Sequence, residues 1–335
     1  MVPLAHPELL PRFTVVPTPR VEVLRTRSGE VVPPIVMGTS PLGSIDPTGI
    51  FGARERRRAL RLLDGVTQEG CRAFDLARSY QLGGTERVFG EWLKLRGDRD
   101  RLFLISKIGH PVPLRSPNRL TPEALGSDLR RTLDAIGVES LDLLLLHRDH
   151  PAANLRWLAS YLEHLRDAGI ARYVGASNWS LARIESLEES FSNGLIDASS
   201  PQFSLAEWKS PIWSGSFSIS GRKGKYERRL YARRQLATFA YSPLGRGFFG
   251  DAGRRRTSSF RQKINHERKQ RSRIVGRKLG ATPAQVALAY LLNQPFPVFP
   301  VTGVSRVPNM RMNLEARDIQ LSAEELRWLE QGDVH

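Results

Sequence analysis

Short runs of almost uninterrupted apolar residues recur along the chain, and between them the apolar positions spread out to helical spacing. The runs are Ile35–Gly38, Ala73–Ala77, Leu102–Ser106, Leu141–Leu146, Tyr173–Ala176, Ala198–Phe203, Ala237–Tyr241 and Val298–Val301. A strand covered on both faces needs no polar side, so such runs predict buried parallel strands. Leu125, Leu129, Leu133 and Ile136 repeat at spacings of four, four and three. Leu155, Leu158, Leu162 and Leu165 do the same, as do Leu181, Ile184, Leu187 and Phe191. These are the stripes of amphipathic helices. Thr121-Pro122, Thr282-Pro283-Ala284-Gln285 and Ser322–Glu325 supply helix starts, the last two as capping boxes. Eight strands alternating with helices predict an α/β fold, a single (β/α)8 TIM barrel with extra C-terminal helices; a doubly wound sheet is the rival arrangement.

Two segments depart from the alternation. Val21–Val32, with Ser28-Gly29 at its centre, predicts an N-terminal β-hairpin ahead of the first barrel strand. Leu205–Arg229 predicts a long insertion at about 205–229, rich in Gly and Ser and carrying Trp208, Trp213, Phe217 and Tyr226. Residues 1–20 hold five prolines and read as an extension, leaving 21–335 for the barrel.

Composition narrows the field. One cysteine among 335 residues excludes an internal disulfide and a Cys-rich zinc site, and Cys71 reads as a small buried residue. No run of 18 apolar residues offers a membrane span, and the proline-rich start has no apolar core of a secretory signal, so a cytoplasmic protein is expected. The net charge of +16 is local: Gly253–Lys278 carries eight Arg and three Lys against one Glu, a net +10, and the other 309 residues share +6. With only Phe260 as an aromatic, that segment has little to stack on single strands, and nucleic acid is not expected as a partner. Helix residues such as Arg268 and Arg271 are expected to face water.

In a barrel of this kind, chemistry sits at the C-terminal ends of the strands. Asp75 and Tyr80 follow the second strand, Lys107 the third and His147 the fourth. A phenol titrates near 10, too high for an efficient acid at neutral pH. An ammonium beside it lowers that value, a carboxylate holds the ammonium in place, and an imidazole can donate to an oxygen that gains negative charge. Such a set suits carbonyl reduction if a hydride donor is present. His147-x-x-His150 is a possible metal pair, but no third ligand accompanies it, and no metal is expected. Gly245-Arg246-Gly247-Phe248-Phe249-Gly250 matches a glycine-rich phosphate loop, at the late position where barrels place phosphate sites.

Together these residues resemble the aldo-keto reductase superfamily. Phe74–Gly90, Ser106-Lys107, Leu141–Pro151, Gly175–Trp179, Phe239–Gly247 and the late helix with its VFPVTGVSR loop match the family's motifs in order, over about Val21 to Leu329. The resemblance implies NADP(H) as cofactor and an aldehyde, ketone or alcohol as the small-molecule substrate. It implies Asp75, Tyr80, Lys107 and His147 as catalytic residues, with Tyr80 as general acid/base. It implies Gly38 and Thr39, at the end of the first barrel strand, as cofactor-binding residues, and Ser177, Asn178 and Gln202 on the nicotinamide carboxamide. It implies Tyr241 stacked on the nicotinamide ring, and Ser242, Pro243, Leu244, Gly245, Arg246 and Gly247 around the pyrophosphate, with Arg254 near the phosphates. Gly303, Ser305, Arg306, Asn309 and Asn313 are implied around the adenosine phosphate, with Arg311 behind them. Two positions depart from the pattern: Gln81 stands where the family often has Gly, and Met312 where it usually has Glu. The loop after His147 and the segment Leu205–Arg229 are expected to wall the substrate pocket, with Trp208 and Trp213 either lining it or packing the loop down. The alternative reading is a cofactor-binding regulatory protein on the same fold, such as a potassium-channel beta subunit. The chain is expected to be a monomer or a homo-oligomer.

Overall fold

A computed structural model describes residues 23–40, 42, 52–112, 118–191, 194–250 and 257–332. The N-terminal extension expected at 1–20 lies outside these residues. The described elements run β1 (Leu24–Arg25), β2 (Val31–Val32), β3 (Val36–Gly38), α1 (Ala53–Gln68), β4 (Ala73–Asp75), α2 (Gly84–Arg96), β5 (Phe103–Ile108), α3 (Pro122–Ile136), β6 (Leu141–Leu146) and α4 (Leu155–Asp167). They continue with β7 (Ala171–Ser177), α5 (Leu181–Glu189), β8 (Ala198–Ser200), α6 (Lys225–Arg234), β9 (Ala237–Tyr241), α7 (Lys263–Leu279), α8 (Pro283–Leu292), β10 (Val298–Thr302), α9 (Val307–Glu315) and α10 (Ala323–Gln331). Strands β3 to β10 form a closed barrel in which every neighbouring pair is parallel. The doubly wound alternative is thereby excluded.

Strand alternation sorts the apolar side chains into two cores. Ala73, Phe103, Ile105, Leu143, Leu145, Phe239 and Val301 belong to one cluster, inside the barrel. Leu104, Leu144 and Leu146 belong to the other, between strands and helices. This is the period-2 rule applied to strands that are apolar on both faces. The hairpin β1–β2, paired Leu24 to Val32, turns through Gly29 at φ 88° and places both apolar residues in the inner cluster. It therefore closes one end of the barrel. Cys71 is fully buried, and burial pushes its thiol up to about 12.

Helix starts follow the sequence chemistry. Thr121, Asn154 and Ser180 accept from the backbone N–H three residues on, and Thr282 and Ser322 form complete capping boxes. Three expectations are corrected. Phe191 lies beyond α5 and is exposed, because α5 stops at Glu189 and its apolar stripe ends at Leu187. The segment after β8 is loop only as far as Gly224, since Lys225 already begins α6, so residues 225–229 belong to the helix layer. The third correction concerns the basic segment. Arg268 is only 3% exposed, with Nε donating to Glu330 O at 3.0 Å and Nη1 lying 3.7 Å from Glu207. Arg271 donates to Leu329 O at 3.1 Å and Glu330 O at 3.3 Å. The two guanidiniums satisfy carbonyls in the last turn of α10, which have no helical donors and carry the negative end of its dipole. Among the described residues of the segment, Arg261, Lys263, Arg273, Arg277 and Lys278 are the basic residues left exposed.

Candidate active site

The inner-facing register that carries Ala73, Ile105, Leu145 and Phe239 continues two residues further to Asp75, Lys107, His147 and Tyr241. The barrel's apolar fill thus ends in a polar layer at the C-terminal mouth. Lys107 lies within β5, one residue before its end, and pairs in register with Leu145. Its side chain turns upward among three oxygens. Nζ stands 2.6 Å from Asp75 Oδ1, 3.0 Å from Leu76 O and 3.1 Å from the Tyr80 hydroxyl. Asp75, Lys107 and His147 are 4%, 3% and 5% exposed, so this is a nearly dry ion pair. Burial pulls the Lys107 ammonium down, but Asp75 and Tyr80 more than offset it and hold it above the ordinary lysine value. Burial raises the Tyr80 phenol and outweighs the opposing pull of Lys107. The expected net lowering of Tyr80 is therefore reversed, and the phenol stands protonated at neutral pH, the form an acid requires.

The His147 ring meets Tyr80 edge-on at 6.0 Å and His110 at 4.7 Å. Burial, then Lys107, Arg148 and His110, hold its pKa well below the usual histidine range, so it is neutral. Its Nδ1 lies 3.4 Å from the Ser79 hydroxyl. If that hydroxyl donates, the ring proton sits on Nε2, the nitrogen left to donate.

The turn after Tyr80 is strained. Gln81 and Leu82 take φ of 49° and 54°, and Gly83 follows at 85°. A glycine would enter this region freely, while each side-chain-bearing residue costs about 1–2 kcal/mol there. Glu86 anchors the turn from below. It is fully buried and accepts from Ser106 Oγ and Thr132 Oγ1 at 2.9 Å each and from Arg78 at 3.3 Å.

On the opposite side of the mouth, Asn178 Nδ2 donates to Ser177 Oγ at 2.9 Å, and its Oδ1 accepts from the Tyr241 hydroxyl at 2.7 Å. Gln202 has no exposed surface. Its Oε1 accepts from Ser218 and Ser220 at 2.5 and 3.0 Å, and its Nε2 donates to Ser204 at 3.0 Å. Its amide is thus spent on the segment that follows β8. That segment also crosses Gln202 through the backbone, Gln202 N to Phe217 O and Ile219 N to Gln202 O. It brings Trp213, half-exposed, to 6.3 Å from the Tyr241 ring, with the Arg246 guanidinium 5.6 Å from its centre.

Gly38 ends β3, and Thr39 donates its hydroxyl to Asp75 O at 2.8 Å. In the turn after β9, Ser242, Gly245, Arg246 and Gly247 all have positive φ, with Pro243 and Leu244 between them. Gly303, Ser305 and Arg306 are exposed at the start of α9, Asn309 is half-buried in its first turn, and Asn313 is buried in its last turns. Arg311, expected behind them, instead makes a bidentate pair with Glu69 at 2.8 and 2.6 Å. Arg254 lies outside the described residues. No cluster of three metal-ligating side chains is found among the described residues. His150 instead accepts from the Ala152 N–H at 3.2 Å. A cavity of about 780 Å³ lined by Arg27, Leu93, Arg99, Ile136 and Ser140 lies beyond the N-terminal ends of the strands, at the far end from Tyr80.

Sequence reading missed Arg148, His110 and Glu86. Arg148 directly follows His147 and His110 lies three residues beyond Lys107, so strand-end position alone would have flagged both.

Comparison with known proteins shows the family and the fold. The chain is 28% identical over 326 residues to norsolorinic acid reductase stcV of Emericella nidulans, covering 92% of this chain and 80% of that one. It is 27% identical to the aldo-keto reductase str7 of Strobilurus tenacellus, covering 88% and 87%. The fold matches a thermostable aldo-keto reductase crystallised with the inhibitor epalrestat, at a TM-score of 0.72 and 24% identity over 92% of this chain and 98% of that one. It also matches an aldo-keto reductase from Klebsiella pneumoniae in complex with NADPH, at a TM-score of 0.69 and 24% identity over 92% and 94%. The model of the Aldo/keto reductase family matches residues 34–333, and the chain belongs to that family.

Proposed function

We propose that this protein reduces an aldehyde or ketone to an alcohol with NADPH, with Tyr80 as the acid. The observation that carries this reading is the Lys107 ammonium, which bridges the Asp75 carboxylate and the Tyr80 hydroxyl at the barrel mouth. When bound, NADPH supplies the hydride that adds to the carbonyl carbon. Tyr80 gives its phenolic proton to the carbonyl oxygen, and Lys107, held by Asp75, stabilises the phenolate left behind. Neutral His147 orients the carbonyl by donating a hydrogen bond to the same oxygen.

The donor set suits this cofactor. Ser177 and Asn178 place a hydroxyl and an amide where a carboxamide would exchange with their bonds to Ser200 O, Phe217 N and the Tyr241 hydroxyl, and Tyr241 offers a ring face held by its bond to Asn178. The left-handed turn Ser242–Gly247 is a backbone shape suited to a pyrophosphate. Ser305 and Arg306 lie exposed at the N-terminus of α9, where a helix dipole and a cation would both favour a 2′-phosphate. The relative named aldo-keto reductase yakc [NADP(+)], from Schizosaccharomyces pombe, supports the same choice at 25% identity over 89% of this chain and 87% of that one. Gln202 acts indirectly in this reading, by tying down the segment that carries Trp213.

The test is Tyr80→Phe. It should lower aldehyde reduction by about 10²- to 10⁴-fold while NADPH still binds, read by nicotinamide fluorescence. A variant that keeps full activity would remove Tyr80 from the chemistry.

A further inference from the structure

The arginines packed against β4, β5 and β6 at the barrel mouth differ in their partners. Arg78 is paired with Glu86, Arg119 with Asp128 and Arg183 with Asp149. Asp149 is the carboxylate nearest to Arg148 in sequence, and both its oxygens lie 3.1 Å from Arg183 Nε. Asp75 is committed to Lys107. Arg148 itself makes one hydrogen bond, from Nη1 to His147 O at 3.0 Å, and has no carboxylate partner among the described residues. It is half-buried, and its stem runs beside Gly215, where an added Cβ would stand 3.7 Å from Arg148 Cδ. It therefore lies between the β6 loop and the segment after β8, the two walls expected to bound the substrate. Its charge reaches Tyr80, Tyr241, His147 and His110, and burial lowers its own pKa instead of an acid raising it. A guanidinium that keeps most of its donors unspent in a partly dry site favours an anion with planar, two-oxygen geometry.

We propose that Arg148 is a specificity residue that pairs with a carboxylate on the substrate, so that the preferred substrates are aldehydes or ketones bearing a carboxylate group. This rests on the carbonyl-reductase reading above and deepens it. The carbonyl would lie against Tyr80 and His147, and the carboxylate would turn toward Arg148 on the same wall. Binding would replace the missing acid and offset the cost of a half-buried, unpaired cation.

The experiment measures kcat/KM with NADPH for 2-, 3- and 4-carboxybenzaldehyde, each against its methyl ester, in the native protein and in Arg148→Met and Arg148→Lys. The acid-to-ester ratio cancels any effect common to both substrates. For at least one isomer the native ratio should exceed one. It should fall by about 10- to 100-fold in Arg148→Met, with the change mainly in KM, and be partly restored in Arg148→Lys. A ratio below one for every isomer, or one that Arg148→Met leaves unchanged, overturns the proposal. A purely structural role at His147 O would depress acid and ester alike through kcat and leave the ratio where it was. Loss of NADPH binding in Arg148→Met, read by fluorescence, would assign the guanidinium to the cofactor and likewise overturn it. If neither acids nor esters are reduced by the native protein, the carbonyl-reductase reading itself fails, an outcome separate from a lost preference.

Discussion

Replacing Lys107 by methionine isolates the central ion pair. The substitution keeps the length of the side chain and removes a charge 2.6 Å from Asp75, in a site where both residues are under 5% exposed. Breaking a buried pair from one side leaves the other charge uncompensated, at a cost of about 3–5 kcal/mol. For a chain of this size about 2 °C of thermal midpoint accompanies each kcal/mol, so the variant should melt about 6–10 °C lower at pH 7. Burial pushes the Asp75 carboxyl up, and Lys107 is the chief group opposing it. Without the ammonium, Asp75 titrates above its unfolded value near 3.9. Between those two values the folded state binds more protons than the unfolded one, so stability is lost as pH rises and recovered as pH falls. The deficit should therefore shrink on acidification, and adding Asp75→Asn should recover about half or more of it. Circular dichroism melts from pH 5 to 8 on the wild type, the single and the double variant provide the assay, with reductase activity alongside. Activity should be lost in both variants. A single variant within about 1 °C of wild type, or a double variant less stable than the single, would refute the claim that the Asp75–Lys107 pair is a buried ion pair.

His147 has a folded-state pKa depressed by burial and by Lys107, Arg148 and His110, so its stability contribution is present above about 6.5 and is lost as pH falls toward the folded value. His147→Asn should flatten the wild-type decline in thermal midpoint between about pH 6.5 and 5, and an equally steep decline in the variant would show that His147 is not its source. Gly90 of α2 packs so closely on α3 that a Cβ would stand 2.3 Å from Ala135 O, whereas Gly126 of α3 has nothing within 4 Å. Chemical denaturation should show Gly90→Ala destabilised by about 1–3 kcal/mol and Gly126→Ala stabilised by about 0.5–1 kcal/mol. Arg306→Ala should raise the ratio of KM for NADPH to KM for NADH by about tenfold in steady-state assays; an unchanged ratio would place the 2′-phosphate elsewhere.

The barrel was legible in the chain because its determinants are local. A strand buried on both faces is apolar at most positions, and the eight runs could be read for that reason. The helix starts at Thr121, Thr282 and Ser322 were legible because a cap is satisfied within four residues. The polar layer at the mouth was legible too, since Asp75, Lys107 and His147 each stand two residues beyond an inner-core position and a strand side chain repeats its direction every second residue. What the chain could not announce depends on which side chains meet across long separations. Arg268 and Arg271 read as a wet basic helix until α10 placed its last carbonyls on them. That Ser218 and Ser220, 16 and 18 residues on, fold over Gln202 and donate to its amide oxygen could not be read from the chain. The sign of the Tyr80 shift depended on how far burial outweighs a neighbouring ammonium, a balance set by the packed site alone. Asp149, next to Arg148 in the chain, pairs with Arg183 instead, because whether a charge is paired is a property of three-dimensional neighbours and leaves no mark on the order of residues.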